Sequence, residues 1–195
     1  MLAPATPALL YAPSHFTLVS KNVAEQQDSS FRVQSYLEEV TRASYEVATS
    51  LLCSSILAGR TSESDEYGDV GIWVGKLPDR DPQEVLRNLG LADWIESKGG
   101  KIVQAKASPS PLPASLTSTS GPLSPVAETP KIHMESLSKL LNNLESTLEF
   151  RVEGLGGGIV LYFMVGQLSE HNGGFDRDDG YAGLLGVGVM TDMDD

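Results

Sequence analysis

The sequence predicts an α+β fold: a small antiparallel sheet, formed by a C-terminal three-stranded meander, covered by two or three amphipathic helices. Three observations lead there. Apolar residues recur at spacings of three and four in two separate stretches. Short β-branched and glycine-bounded runs gather towards the C-terminus. A Pro/Ser/Thr-rich segment interrupts the chain between residues 105 and 130.

The first helix is expected from Asp28 or Ser29, where Asp28, Ser29 and Ser30 are all suited to cap. Val33, Tyr36, Leu37, Val40, Val47 and Leu51 make its apolar stripe, and Glu38, Glu39, Arg42 and Glu46 fall largely off it. Beyond Ala48 two readings stand open. The stretch 49–58 either continues the helix to Gly59 or forms a buried strand, paired as a hairpin with 69–75. The run Asp69 to Gly75 reads as a strand, carrying Trp73 and β-branched residues. At Asp81-Pro82-Gln83-Glu84 a helix begins: Asp81 caps, Pro82 takes the first helical position, and Glu84 suits the positive end of the dipole. Its apolar face is Val85, Leu86, Leu89, Ala92 and Trp94 or Ile95, and Gly99-Gly100 stops it before a short strand at 101–104.

In the second block, Met134, Leu137, Leu141, Leu144 and Leu148 alternate three and four apart, widened by Leu140. This spacing predicts a helix of about four turns ending near Ser146. Leu148 to Glu153 alternates apolar with charged, as a half-buried strand does. Glycines 154, 156 and 157 then turn the chain, Gly158 to Val165 reads as a central strand, and Tyr181 to Met190 returns as the last.

The domain organisation follows. Residues 1–13 are a flexible N-terminus, 14–104 a first α/β block, and 105–130 a disordered insertion holding six of the eleven prolines and nine Ser/Thr. Residues 131–191 join the first block in one composite domain, and 192–195 are an acidic tail. A block of about 60 residues alone would be marginally stable.

Fourteen Lys and Arg against 26 Asp and Glu give a net charge of −12 at pH 7, which argues against a phosphate backbone or an anionic membrane face as partner. The acid is concentrated late, with seven acids from Glu170 to Asp195 against Arg177 alone; a protein partner with a basic surface would suit that end. One cysteine, Cys53, rules out an internal disulfide. The longest wholly apolar run, Ile159 to Val165, is far short of the ~20 residues of a membrane span. Two prolines and no basic residue mark the start of the chain, against a signal peptide. The expected location is cytoplasmic, with the nucleus as the alternative.

No catalytic, cofactor or metal residues are expected. Gly154 to Gly158 lacks the glycine at 159 that a dinucleotide fingerprint needs, and it precedes a strand rather than a helix. Glu170 to Gly180 is rich in ligand atoms but fails the Ca²⁺-loop spacing: from Asp176, the fifth position is Gly180 and the twelfth Val187. His15, His133 and His171 are scattered, and no G-x-S-x-G is present.

The expected function is therefore a non-catalytic adaptor or small subunit of a multiprotein complex, forming an oligomer or hetero-complex through other protein subunits, with no nucleic acid and no membrane insertion. The contact residues are expected to be Tyr36, Val40 and Val47 on the first helix and Met134, Leu137 and Leu141 on the last, although each also suits a plain core. Ser108, Ser110, Ser124 and Thr129 each precede proline in the insertion, a form open to proline-directed kinases. The alternative is a small enzyme or ligand-binding domain built on the Gly154–Gly158 and Glu170–Gly180 loops. A third reading, an acidic mimic of nucleic acid, would need denser acids than these.

Overall fold

In the computed structural model, the described residues are 9–12, 16–17, 27–59, 67–105, 131–168 and 180–190. Apart from Ala105, the expected insertion with Ser108, Ser110, Ser124 and Thr129 lies outside them, as do most of the N-terminus and the acidic tail.

The fold is α+β. Among the described residues, seven strands form one antiparallel sheet with four helices: β1 (Leu9–Ala12), β2 (Phe16–Thr17), α1 (Gln27–Ser50), β3 (Val70–Gly75), α2 (Pro82–Asn88), α3 (Ala92–Ser97), β4 (Lys101–Gln104), α4 (Lys131–Leu141), β5 (Leu144–Glu153), β6 (Ile159–Leu168) and β7 (Tyr181–Val189). The strand order is β2-β1-β3-β7-β6-β5-β4. The last three strands do pair consecutively, β5 with β6 and β6 with β7. They are not a self-contained meander, because β3 pairs with β7 and β4 with β5, so that strands from both sequence blocks share one sheet.

Alternation along the strands gives the sheet two apolar faces. On one, Met164, Leu168, Ala182 and Leu184 meet Val33, Tyr36, Leu37, Val40 and Val47 of α1 and Leu137 and Leu141 of α4. On the other, Leu161, Phe163, Val165, Leu185, Ile72 and Val74 meet Val85, Leu86 and Leu89 beside α2, and Ile95 of α3. Phe150 and Phe163, directly opposite on β5 and β6, stack with ring centroids 4.6 Å apart.

The single helix expected from Asp81-Pro82 to the stop at Gly99-Gly100 is two helices. Gly90, at φ 70°, ends α2, where Leu91 N–H donates to Leu86 O and Gly90 N–H to Arg87 O, the double bond of a Schellman cap. The chain restarts at α3, so Ile95 reaches the core from a second axis. Asp81 caps α2 as its sequence position suggests, its carboxylate accepting from Gln83 N–H at 3.2 Å with Pro82 next in line. Asp81→Ala is expected to lower stability by about 1 kcal/mol, read as a shift of the urea midpoint at unchanged slope.

The last helix is also shorter than its leucine spacing suggests. It ends at Leu141, Asn142 and Asn143 turn the chain, and Leu144 already belongs to β5, opposite Leu168. Asparagine side chains compete with the backbone for hydrogen bonds and favour turns over helix interiors. Leu144 enters the same core as Leu141, which is why its spacing imitates a helical stripe. A register shift between Glu145 and Leu148, with Ser146 at φ 55°, then sets Leu148, Phe150 and Val152 towards the opposite face.

Candidate functional site

The stretch after α1 is neither helix nor strand. The helix stops at Ser50, residues 51–59 form a run of turns, and β3 takes β1 and β7 as neighbours instead of pairing with this segment. Two features explain why it folds this way, and together they make the most unusual local chemistry among the described residues.

The first is the end of α1. Cys53 N–H donates to Ala48 O at 3.0 Å and Leu52 N–H to Thr49 O at 3.2 Å, the same double cap that closes α2. In α3 the pattern recurs, Gly100 N–H on Ile95 O and Gly99 N–H on Glu96 O. The left-handed residue of this cap is Gly90 in α2 and Gly99 in α3, with φ of 70° and 74°. In α1 it is Leu52, at φ 56°. A leucine there bears a steric cost of about 1 kcal/mol that glycine avoids. Nor does burial offset it, for the Leu52 side chain is 79% exposed.

The second feature is a buried carboxylate. Asp69, just ahead of β3, is 4% exposed and gathers donors from two elements. Ser44 of α1 donates to Oδ2 at 2.6 Å, Ser55 to Oδ1 at 2.6 Å, Ile56 N–H to Oδ2 at 2.6 Å and Leu57 N–H to Oδ1 at 3.4 Å. Ser55 Oγ also accepts from Ala58 N–H at 2.9 Å. From β7, Gly186 closes the cluster: a Cβ there would lie 2.6 Å from Ser55 Oγ and 2.7 Å from Asp69 Oδ1. Burial pushes the Asp69 carboxyl above its ordinary range, opposed by the bonds from Ser44, Ser55, Ile56 and Leu57. With both oxygens occupied by the protein's own donors, Asp69 is arranged to hold chain segments together rather than to meet a substrate.

The expected contact residues lie elsewhere. Tyr36, Val40, Val47, Leu137 and Leu141 are buried between α1, α4 and the sheet, and Met134 is half-buried against the same core. Tyr36 O–H reaches Leu140 O at 3.4 Å, and burial pushes its hydroxyl far up. His133 is half-exposed and meets Glu46 of α1 at 3.0 Å, tying the two helices at their surface. Ser108, Ser110, Ser124 and Thr129 lie outside the described residues.

The two loops of the alternative reading leave from opposite ends of β6. Gly154 to Gly158 precedes Ile159, whereas the connection holding Glu170 begins after Leu168 and ends at Gly180, whose carbonyl accepts from Leu168 N–H at 3.0 Å. Ten strand residues put those ends about 30 Å apart. The glycines of the first loop serve the backbone: Gly154, Gly156, Gly157 and Gly158 all have positive φ, and a Cβ on Gly158 would fall 1.8 Å from Met190 O. Among the described residues, no three His, Cys, Asp or Glu side chains are grouped as metal ligands, and no helix is long and apolar enough to cross a membrane.

Sequence reasoning placed Asp69 at the head of a strand without a role, and read Leu51-Leu52 as interior to a helix or strand. The contrast lies among the three helices closed by this double cap, of which α2 and α3 carry glycine at the left-handed position and α1 carries Leu52. The chain matches no protein-family model, no curated protein and no solved structure.

Proposed function

We propose that this protein is a non-catalytic adaptor, or small subunit of a multiprotein complex, that docks a protein partner through Leu52 at the end of α1. The observation that carries this reading is a leucine held in a left-handed backbone with its side chain in water, where the other two caps use glycine. Its local energetics favour another residue, and backbone strain of this kind gathers at sites selected for contact or switching. Tyr45, seven residues earlier on α1, is a second exposed large apolar residue, at 55%. With a net charge of −12 behind it, the matching partner presents an apolar pocket rimmed by Lys and Arg. Phosphorylation within 105–130 would add negative charge and strengthen attraction to such a partner.

Leu52→Gly separates docking from folding. The variant is expected to be at least as stable, gaining up to about 0.5 kcal/mol, because relief of the left-handed strain offsets the added freedom of the unfolded glycine. It is also expected to lose at least about tenfold in recovery of a stoichiometric basic partner, measured by affinity purification with quantitative mass spectrometry. Equal recovery by the two proteins, or no stoichiometric partner for the native chain, would defeat this reading.

A further inference from the structure

Asp69 is a buried acid to which the described residues supply donors but no counter-ion. The described elements packed against it can be read for charge. β3 (VGIWVG) and β7 (YAGLLGVGV) contain no charged residue, and in 51–59 the only titratable group is Cys53, whose Sγ donates to Ala48 O at 3.6 Å. On α1 the donor is Ser44, while Arg42 and Glu46, each two residues away, project about 200° around the helix, Glu46 towards His133. Ile56, fully buried, and Leu57 are fastened to Asp69 through their amides. Among the described residues, a full negative charge in this position meets hydrogen-bond donors and no cation.

The neutral acid is equally well received. Ser44 Oγ and Ser55 Oγ are hydroxyls, able to accept as well as donate, and both stand at 2.6 Å. Were Asp69 to donate its proton to Ser44, the Ser44 hydroxyl could turn its own hydrogen to the preceding helical turn, as helical serines do. The Ile56 and Leu57 amides keep an oxygen acceptor in either state.

We propose that Asp69 is a proton-dependent latch on the segment Leu51–Gly59: the protonated acid holds the segment down on the sheet, and ionisation loosens it. The sign follows from linkage. Burial raises the folded-state pKa above the unfolded one, so the native chain keeps this proton where the unfolded chain has lost it. The stabilisation is complete below the unfolded carboxyl pKa and is lost as pH rises through the folded one. The latch stands apart from the docking reading, since neither of its readouts needs a partner.

The test is a pH titration of the native full-length chain followed at two places. The ¹³C shift of Asp69 Cγ reports its proton directly, and hydrogen exchange at Ile56 and Leu57, corrected for intrinsic exchange rates, reports the segment. Expected is one titration of Cγ above the ordinary carboxyl range, with protection of the two amides falling at least about tenfold across the same transition. In Asp69→Asn, which is neutral at every pH, this step in protection disappears. The proposal is overturned if Cγ titrates at or below the ordinary carboxyl range, if protection stays flat while Cγ titrates, or if Asp69→Asn retains the step. Should that variant fail to fold, the two readouts on the native chain decide the matter unaided.

Discussion

Asp69→Ala is expected to destabilise the protein by about 2–6 kcal/mol, the cost of leaving two fixed, buried backbone donors unmade at about 1–3 kcal/mol each. Four donors lose their acceptor at once. Two of them, the Ser44 and Ser55 hydroxyls, can rotate to other acceptors. The amides of Ile56 and Leu57 are fixed in the chain, and a buried donor left unmade costs about 1–3 kcal/mol. The loss would extend beyond the carboxylate, because Asp69 joins α1, the 55–57 turn and the entry to β3. Graded controls identify the cause. Ser44→Ala removes one donor and should cost about 1 kcal/mol. Ser55→Ala should cost more, since Ser55 Oγ also accepts from Ala58 N–H. Urea denaturation of the three variants checks the order; an Asp69→Ala loss no larger than that of Ser44→Ala would show that the segment is held by its apolar contacts instead.

That cluster also marks where the sequence stops being legible. Periodicity finds what is local and repeated: the α1 stripe through Val33, Val40 and Val47, the Asp81-Pro82 start of α2, and the alternation of Leu148 to Glu153 could all be read directly. The errors fall where one period imitates another or where a partner is distant. Leu144 continues the leucine spacing of α4 yet sits in a strand, because both elements drain into one core. Leu51 to Gly59 has neither period, and its shape is decided by an acid that follows it after ten or more residues. Strand pairing is likewise non-local. Nothing in the composition of β3 says that it joins β7, more than a hundred residues later, rather than the apolar segment just before it. The candidate site was the least visible part for the same reason: Leu52 is notable only once its backbone angle and exposure are known.

Gly183→Ala is expected to cost more than about 3 kcal/mol and to leave little folded protein. Gly183 sits mid-strand in β7, opposite Val165 of β6 on one side and Ile72 of β3 on the other. A Cβ there would lie 1.9 Å from Met164 O and 2.8 Å from Val165 Cα, both backbone atoms that no rotamer change can move. Relief requires shifting β6 or β7 bodily, and each is a central strand with cores on both faces. Overpacking of a close-packed interior typically costs 1–3 kcal/mol when side chains alone adjust. Here the ladder between two central strands must give as well, so the loss lies above that range. Gly68→Ala is the matched control: its nearest contact is Ser54 O at an ordinary 3.6 Å, so it should stay within about 0.5 kcal/mol of the native chain. Thermal and urea unfolding of the pair checks the contrast. If Gly183→Ala unfolds at the same midpoint as Gly68→Ala, β6 and β7 do not approach as closely as their register implies, and the placement of both sheet faces would have to be redrawn.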